Sequence, residues 1–148
     1  MITLVGTQSD FLDALNCLLE LEYEAIEIYE AAINRLEKKE YVDKLKEFQG
    51  DHRNHIDKIS KYLSSKSYDP VQKPGIKQWI TIAAISLGSI IGDKSVLGSL
   101  HGAEEDTNTA YERINGHSEK PQDFTRELRA FYDDEKKHKK WIEDTLKK

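Results

Sequence analysis

With 148 residues, 38% of them apolar and 33% charged, the chain is long enough to bury a core as one domain, residues 1–148, and too apolar for disorder. Its 8 glycines and 3 prolines are too few for the turns of a sandwich or barrel and fit an all-α domain. A net charge of −5 argues against nucleic acid as a partner.

The first predicted helix starts near Thr7 or Ser9, either of which serves as an N-cap, and runs to about Lys38. Phe11, Leu15, Leu18, Ala25, Tyr29, Ala32 and Leu36 follow the 4-3 alternation of a packed bundle helix, and Glu22 occupies a place in that seam where an apolar residue belongs. A turn near Lys39 leads to a second helix with Tyr41, Leu45, Phe48, His52, His55, Ile59 and Tyr62 in its seam, ending at Ser64–Ser67 before Asp69-Pro70.

Residues 67–92 read as a long connection in which Pro74 opens an extra short helix. Ile76, Ile80, Ala83 and Leu87 share one face of it, and Trp79, Ile82, Ile85, Ile90 and Ile91 make most of the remainder apolar. A segment with so much apolar surface asks for cover, so the expectation is a homodimer with Trp79 to Ile91 at the contact. The competing arrangement is a monomer in which Ile2, Leu4 and Val5 cover the segment. Lys77, Gln78, Ser86, Gly88 and Ser89 interrupt the stretch, so no membrane span is expected.

The third helix follows Gly92, with Asp93 or Ser95 as cap, Leu97, Leu100, Glu104, Thr107, Tyr111 and Ile114 as seam, and Asn115-Gly116 as its end. The fourth has Pro121 in its first turn and Phe124, Leu128, Phe131, Glu135, His138, Ile142 and Thr145 in its seam. Cys17, the single cysteine, excludes an internal disulfide framework and fits a reducing compartment. Met1 to Asp10 lacks the basic and apolar stretches of a secretory signal, so a cytoplasmic location is expected.

An internal repeat organises these elements. A shift of 82 places Leu15, Leu18, Glu22 and Tyr29 on Leu97, Leu100, Glu104 and Tyr111. A shift of 83 places Leu45, Phe48, Asp51, His55 and Ile59 on Leu128, Phe131, Asp134, His138 and Ile142, with His52 falling on Glu135. The chain therefore reads as two helical hairpins joined by a long crossover, a four-helix bundle with the third helix parallel to the first.

Six seam positions are ionisable: Glu22, His52, His55, Glu104, Glu135 and His138. At the helical rise, Glu22 stands roughly 25 Å from the first turn and His52 to His55 about 20–24 Å from it. Glu104 stands about 22 Å from a turn near Ser118, and Glu135 to His138 about 25–29 Å. All six thus meet in one layer at mid-bundle. Buried without partners, they would cost several kcal/mol each, whereas iron, manganese or zinc suits carboxylate oxygen and imidazole nitrogen directly. Glu135 and His138, three residues apart, can share one ion. The di-metal bundle plan takes one Glu from each of two helices and Glu-x-x-His from each of the other two; this chain supplies Glu22, Glu104 and Glu135-x-x-His138, with His52-x-x-His55 in the remaining place. The alternative is a metal-free polar network that fixes register in a structural or interaction bundle.

Around these six, Asp51 and Asp134 read either as acceptors that orient the ligand histidines or as exposed helix-face aspartates. Tyr29 and Tyr111 read as hydrogen-bond partners of the layer or as plain core aromatics. His101 and His117 match no repeat partner and read as surface residues. Cys17 reads as a partly buried free thiol, and Glu24, Glu27 and Glu30 as a solvated helix face.

Leu21 to Tyr29, Asp51-His52-Arg53-Asn54-His55, Glu104 to Tyr111, and Asp134-Glu135-Lys136-Lys137-His138 with Trp141-Ile142-Glu143 together resemble a ferritin-like four-helix bundle. More narrowly, the chain is similar to a bacterial family known mainly as a ferritin-like domain of unknown function. Glu22 and Glu104 each precede a tyrosine by seven residues, as in rubrerythrin-like and bacterioferritin-like helices. The resemblance covers nearly the whole chain, crossover included, and implies iron at the six positions and a role in metal or peroxide handling under stress. His52 departs from the pattern, standing where a metal-bridging Glu is expected. An imidazole nitrogen does not bridge two ions as a carboxylate can, which favours one ion or an asymmetric pair with one weak position.

Overall fold

The structure is a computed structural model that describes residues 3–74 and 91–148. Its four long helices are α1 (Phe11–Ile33), α2 (Lys39–Ser65), α3 (Asp93–Asn115) and α4 (Thr125–Leu146), the last preceded by a 3₁₀ turn at Gln122–Phe124. There is no strand among the described residues. α1 packs along α2 and α3 along α4 as the two hairpins, and α1 lies against α3 to close the bundle. The extra crossover helix and most of the dimer segment expected at Trp79 to Ile91 lie outside the described residues; Ile91 itself is exposed.

The seams are buried nearly as the periodicity predicts. Two of the departures have a geometric cause. In α2 the buried stripe reaches Leu63 and leaves Tyr62 half-buried, because a straight helix drifts off a strict seven-residue repeat over its length. Leu36 is half-buried because α1 stops before it.

Helix ends differ from expectation where several residues compete to cap. Asp10, not Thr7 or Ser9, caps α1 by accepting from the Asp13 backbone N–H at 2.9 Å, while the Thr7 hydroxyl donates to the Leu4 carbonyl at 2.6 Å. α1 ends at Ile33 instead of running to Lys38. The released backbone is held from across the bundle: Glu37 and Lys38 N–H donate to the two carboxylate oxygens of Asp93 at 2.8 and 3.0 Å. Asp93 thus ties the first hairpin's loop to α3 rather than capping its own helix. Gly92, at φ +98°, takes the cap position, and Ser95 is exposed. Pro121 precedes the 3₁₀ turn instead of standing in the first turn of α4, with Phe124 buried all the same.

The apolar core falls into two clusters. One gathers Leu15, Leu18, Ile59, Leu63, Ile114, Leu128 and their neighbours; the other gathers Ala32, Leu45, Phe48, Leu97, Leu100 and Ile142. The six ionisable seam residues occupy the level between them in sequence on every helix. No helix among the described residues is long and apolar enough to cross a membrane.

Candidate metal centre

Glu22, His52, His55, Glu104, Glu135 and His138 are each at most 1% exposed and meet in that layer. α1 and α3 contribute one glutamate each, α2 two histidines one turn apart, and α4 the Glu-x-x-His pair. They form two overlapping groups, Glu22–His52–His55–Glu135 and His52–Glu104–Glu135–His138, in each of which the ligand atoms lie within 4.8 Å of one another. His52 belongs to both groups, because its ring projects from α2 between Glu22 and Glu104.

In the first group His52 Nδ1 is 2.7 Å from Glu22 and 3.3 Å from Glu135 Oε1, and His55 Nδ1 is 3.4 and 3.3 Å from the same two residues. In the second, His138 Nδ1 is 3.5 Å from Glu135 Oε2 and 4.0 Å from Glu104, and His52 Nε2 is 3.8 Å from Glu104.

The hydrogen bonds that Asp51, Asp134, Tyr29 and Tyr111 make to the layer cross from one hairpin to the other. His55 Nε2 lies 2.9 Å from Asp134, and His138 Nε2 lies 2.8 Å from Asp51. An ionised carboxylate only accepts, so both rings carry a proton on Nε2 and turn Nδ1 to the centre. The Tyr111 hydroxyl donates to Glu22 Oε1 at 2.7 Å, and the Tyr29 hydroxyl donates to Glu104 Oε1. Phe48 packs on the His138 ring at 4.2 Å and Phe131 on the His55 ring at 4.5 Å between centroids. Asp51, Asp134, Tyr29 and Tyr111 therefore all contact the layer directly, and the tyrosines pack in the core as well.

Charge in the layer is mutually sustained. Burial pushes the Glu22 carboxyl up, but His52 and His55 more than offset it and hold the group below its ordinary value. Burial opposes ionisation of Glu135 too, and His52, His138 and His55 pull it down. Glu104 goes the other way, raised by burial and by the nearby Glu135. Burial would lower the His55 pKa, yet Glu22, Asp134 and Glu135 drive it up to about 11. His52 is raised well above its ordinary value, against burial, by Glu135 and Glu22. Burial also lifts Tyr29 and Tyr111 well above theirs, reinforced by Glu104 and Glu22 respectively, so both hydroxyls stay protonated donors.

Whether these residues suit a metal can be judged from atoms left over. His52 Nε2, Glu104 Oε2, both Glu135 oxygens and His138 Nδ1 are buried and have no hydrogen-bond partner among the described residues. Each such atom costs about 1–3 kcal/mol if it stays unmatched. All five are lone-pair donors of the kinds that bind first-row transition metals, and all five belong to the two groups. The donor set fits a metal.

Several features escaped the sequence. Glu24, expected in solvent with Glu27 and Glu30, is buried, because α1 is covered on two sides; Glu27 and Glu30 are exposed. Asn108 Nδ2 donates to the carbonyls of Glu104 and Glu135 at 2.8 and 3.2 Å, pinning α3 to α4 beside two candidate ligands. Its place one turn after Glu104 was the available signal. His101 and His117 are half-buried rather than free at the surface: His101 Nε2 lies 2.9 Å from Glu143, and His117 donates to the Gln8 carbonyl at 2.7 Å. Cys17 is a half-buried free thiol, pushed up by burial and by Glu20.

The chain is similar to a solved structure described as ferritin like, diiron-carboxylate proteins from Bacillus anthracis str. Ames, with a TM-score of 0.74 over 98% of this chain and 99% of that one, at 16% identity. At that identity the likeness speaks for the fold, an all-α ferritin-like four-helix bundle. No curated protein matches the sequence. The family model described as Domain of unknown function (DUF2383) matches residues 10–117, which takes in α1, α2 and α3 with three of the four site-bearing helices. The chain belongs to that family, and its fold is that of a ferritin-like four-helix bundle.

Proposed function

We propose that this chain binds iron, or a similar ion such as manganese or zinc, through Glu22, His52, His55, Glu104, Glu135 and His138. The observation that carries the reading is the set of five unpartnered buried donor atoms converging on one layer. A metal-free network built to fix register would have every buried polar atom hydrogen-bonded, and in this one five are not. The description of the similar Bacillus anthracis structure as a diiron-carboxylate protein points the same way.

The roles of the residues follow from their contacts. His55 and His138 are held by Asp134 and Asp51 with Nδ1 inward. Tyr111 and Tyr29 each engage one oxygen of Glu22 and Glu104, which orients the carboxylates. Phe48 and Phe131 wall the histidine rings and keep water from them. A bound iron would supply one-electron chemistry in this dry layer. The finer reading is handling of iron or peroxide under stress, which the one-electron chemistry of a bound iron would serve.

Elemental analysis of protein purified without chelator tests the reading. At least one equivalent of transition metal per chain is expected. A metal-free protein that also takes up neither Fe(II), Mn(II) nor Zn(II) on dialysis would defeat it.

A further inference from the structure

His52 and Glu135 are counterparts in the repeat, and they share an unusual placement. Glu135 divides its oxygens, Oε1 lying 3.3 Å from His55 and Oε2 3.5 Å from His138. His52 divides its nitrogens in the same manner: Nδ1 is 2.7 Å from Glu22 in one group, and Nε2 is 3.8 Å from Glu104 in the other. A histidine that ligates through one nitrogen usually has the other held by an acceptor outside the site, as Asp134 and Asp51 hold His55 and His138. For His52 no such acceptor exists among the described residues. Its Nε2 is buried and unpartnered, and both ring edges face candidate ligands.

Resting on the metal-binding reading above, we propose that His52 joins two metal positions as a bridging imidazolate. One ion sits on Nδ1 with Glu22, His55 and Glu135 Oε1, and the other on Nε2 with Glu104, His138 and Glu135 Oε2. The ring releases its last N–H proton to solvent, and each nitrogen lone pair binds one divalent ion, with no change of oxidation state. Charge supports the assignment. Three carboxylates with a neutral imidazole carry three negative charges, one short of two divalent ions; with an imidazolate they carry four. The residue that replaces a carboxylate thereby restores its charge. With an ion on each of two ring edges, the pair stands further apart than the roughly 3.5–4 Å of usual two-metal sites.

Copper(II) alone, added to the metal-free full chain, tests the bridge. Bound copper is counted by elemental analysis and spins by double integration of the electron paramagnetic resonance signal. Two bound ions are expected, with intensity rising over the first equivalent and losing more than half of its maximum over the second, as the spins pair through the ring. In His52→Gln that loss disappears. Should this variant not fold, ¹⁵N resonances of the wild-type histidine rings with zinc(II) decide. Both His52 nitrogens should be metal-shifted with no N–H, while His55 and His138 keep theirs on Nε2. One copper, two independent spins, undiminished spin pairing in a folded His52→Gln, or an N–H on zinc-loaded His52 overturns the bridge and leaves metal binding standing. If neither copper nor zinc binds, the bridge falls; if Fe(II) and Mn(II) are refused as well, the metal-binding reading falls with it.

Discussion

An imidazole offers two nitrogens, and how each is employed decides what the ring can do. His55 and His138 spend one on an aspartate of the opposite hairpin, which fixes both tautomer and direction. Replacing that aspartate by an amide keeps the shape but removes the charge that makes the ring a stronger donor. Asp134→Asn should therefore weaken zinc(II) binding roughly 10–100-fold, measured by competition with a chelator of known affinity. An unchanged affinity would show that His55 is held by packing on Phe131 alone. These aspartates were legible in the sequence because they recur at a shift of 83, each four residues before a seam histidine. Which histidine each one serves was not legible, since that depends on how two hairpins face each other across the bundle. Glu24 was misread for a related reason: spacing every three residues places it with Glu27 and Glu30, but burial depends on how many neighbours the helix has.

Along the elements, the periodicity located all four helices, and the chemistry of their ends was harder to see. Thr7, Ser9 and Asp10 all carry capping oxygens within one turn, and only the path of the preceding chain selects Asp10. That path is set by Gly6, at φ +91°, where an added Cβ would stand 2.5 Å from the Arg113 Cβ. Arg113 in turn donates to the carbonyls of Thr3 and Val5, clamping the segment onto α3. Gly6→Ala combines a clash with a left-handed backbone and should cost about 1–3 kcal/mol. Chemical denaturation compared with wild type would show it as a lower midpoint at unchanged slope. The segment after α2 is tied down differently. The Tyr68 hydroxyl donates to Asp13 at 2.7 Å, and that bond, with burial, pushes its pKa up to about 12. Below about pH 10 folded and unfolded chains both keep the proton, so the bond's contribution is complete. Between that value and the folded pKa only the folded chain holds it, and stability falls as pH rises. Tyr68→Phe should show a shallower fall in Tm between pH 10 and 12 than wild type; an identical fall would assign the alkaline loss to other groups.

Over the whole molecule, the ionisable layer separates two apolar clusters and draws on every helix. An ion held there binds the folded chain and not the unfolded one, so it should stabilise the bundle by mass action. With free zinc(II) at a hundred times its Kd the gain is about 2.7 kcal/mol. For a chain of this size that corresponds to a rise in Tm of roughly 5–10 °C, readable by calorimetry with and without the ion. No shift at that zinc concentration would mean that the folded chain holds no such site. At this scale the repeat made the two hairpins and the six seam residues legible, because equal spacing from the turns is arithmetic on a helix. The central place of His52 was not, because a repeat shows that two positions correspond and is silent on how far each side chain reaches.

The crossing of these four hydrogen bonds has a consequence for how such a chain can change over time. Asp51 and Tyr29 belong to one half of the repeat and serve His138 and Glu104 of the other; Asp134 and Tyr111 return the service to His55 and Glu22. A substitution in one half is therefore felt at the opposite ligand, and any compensating substitution is selected on the other side of the crossover. The halves are separate in sequence and a single unit of inheritance in function.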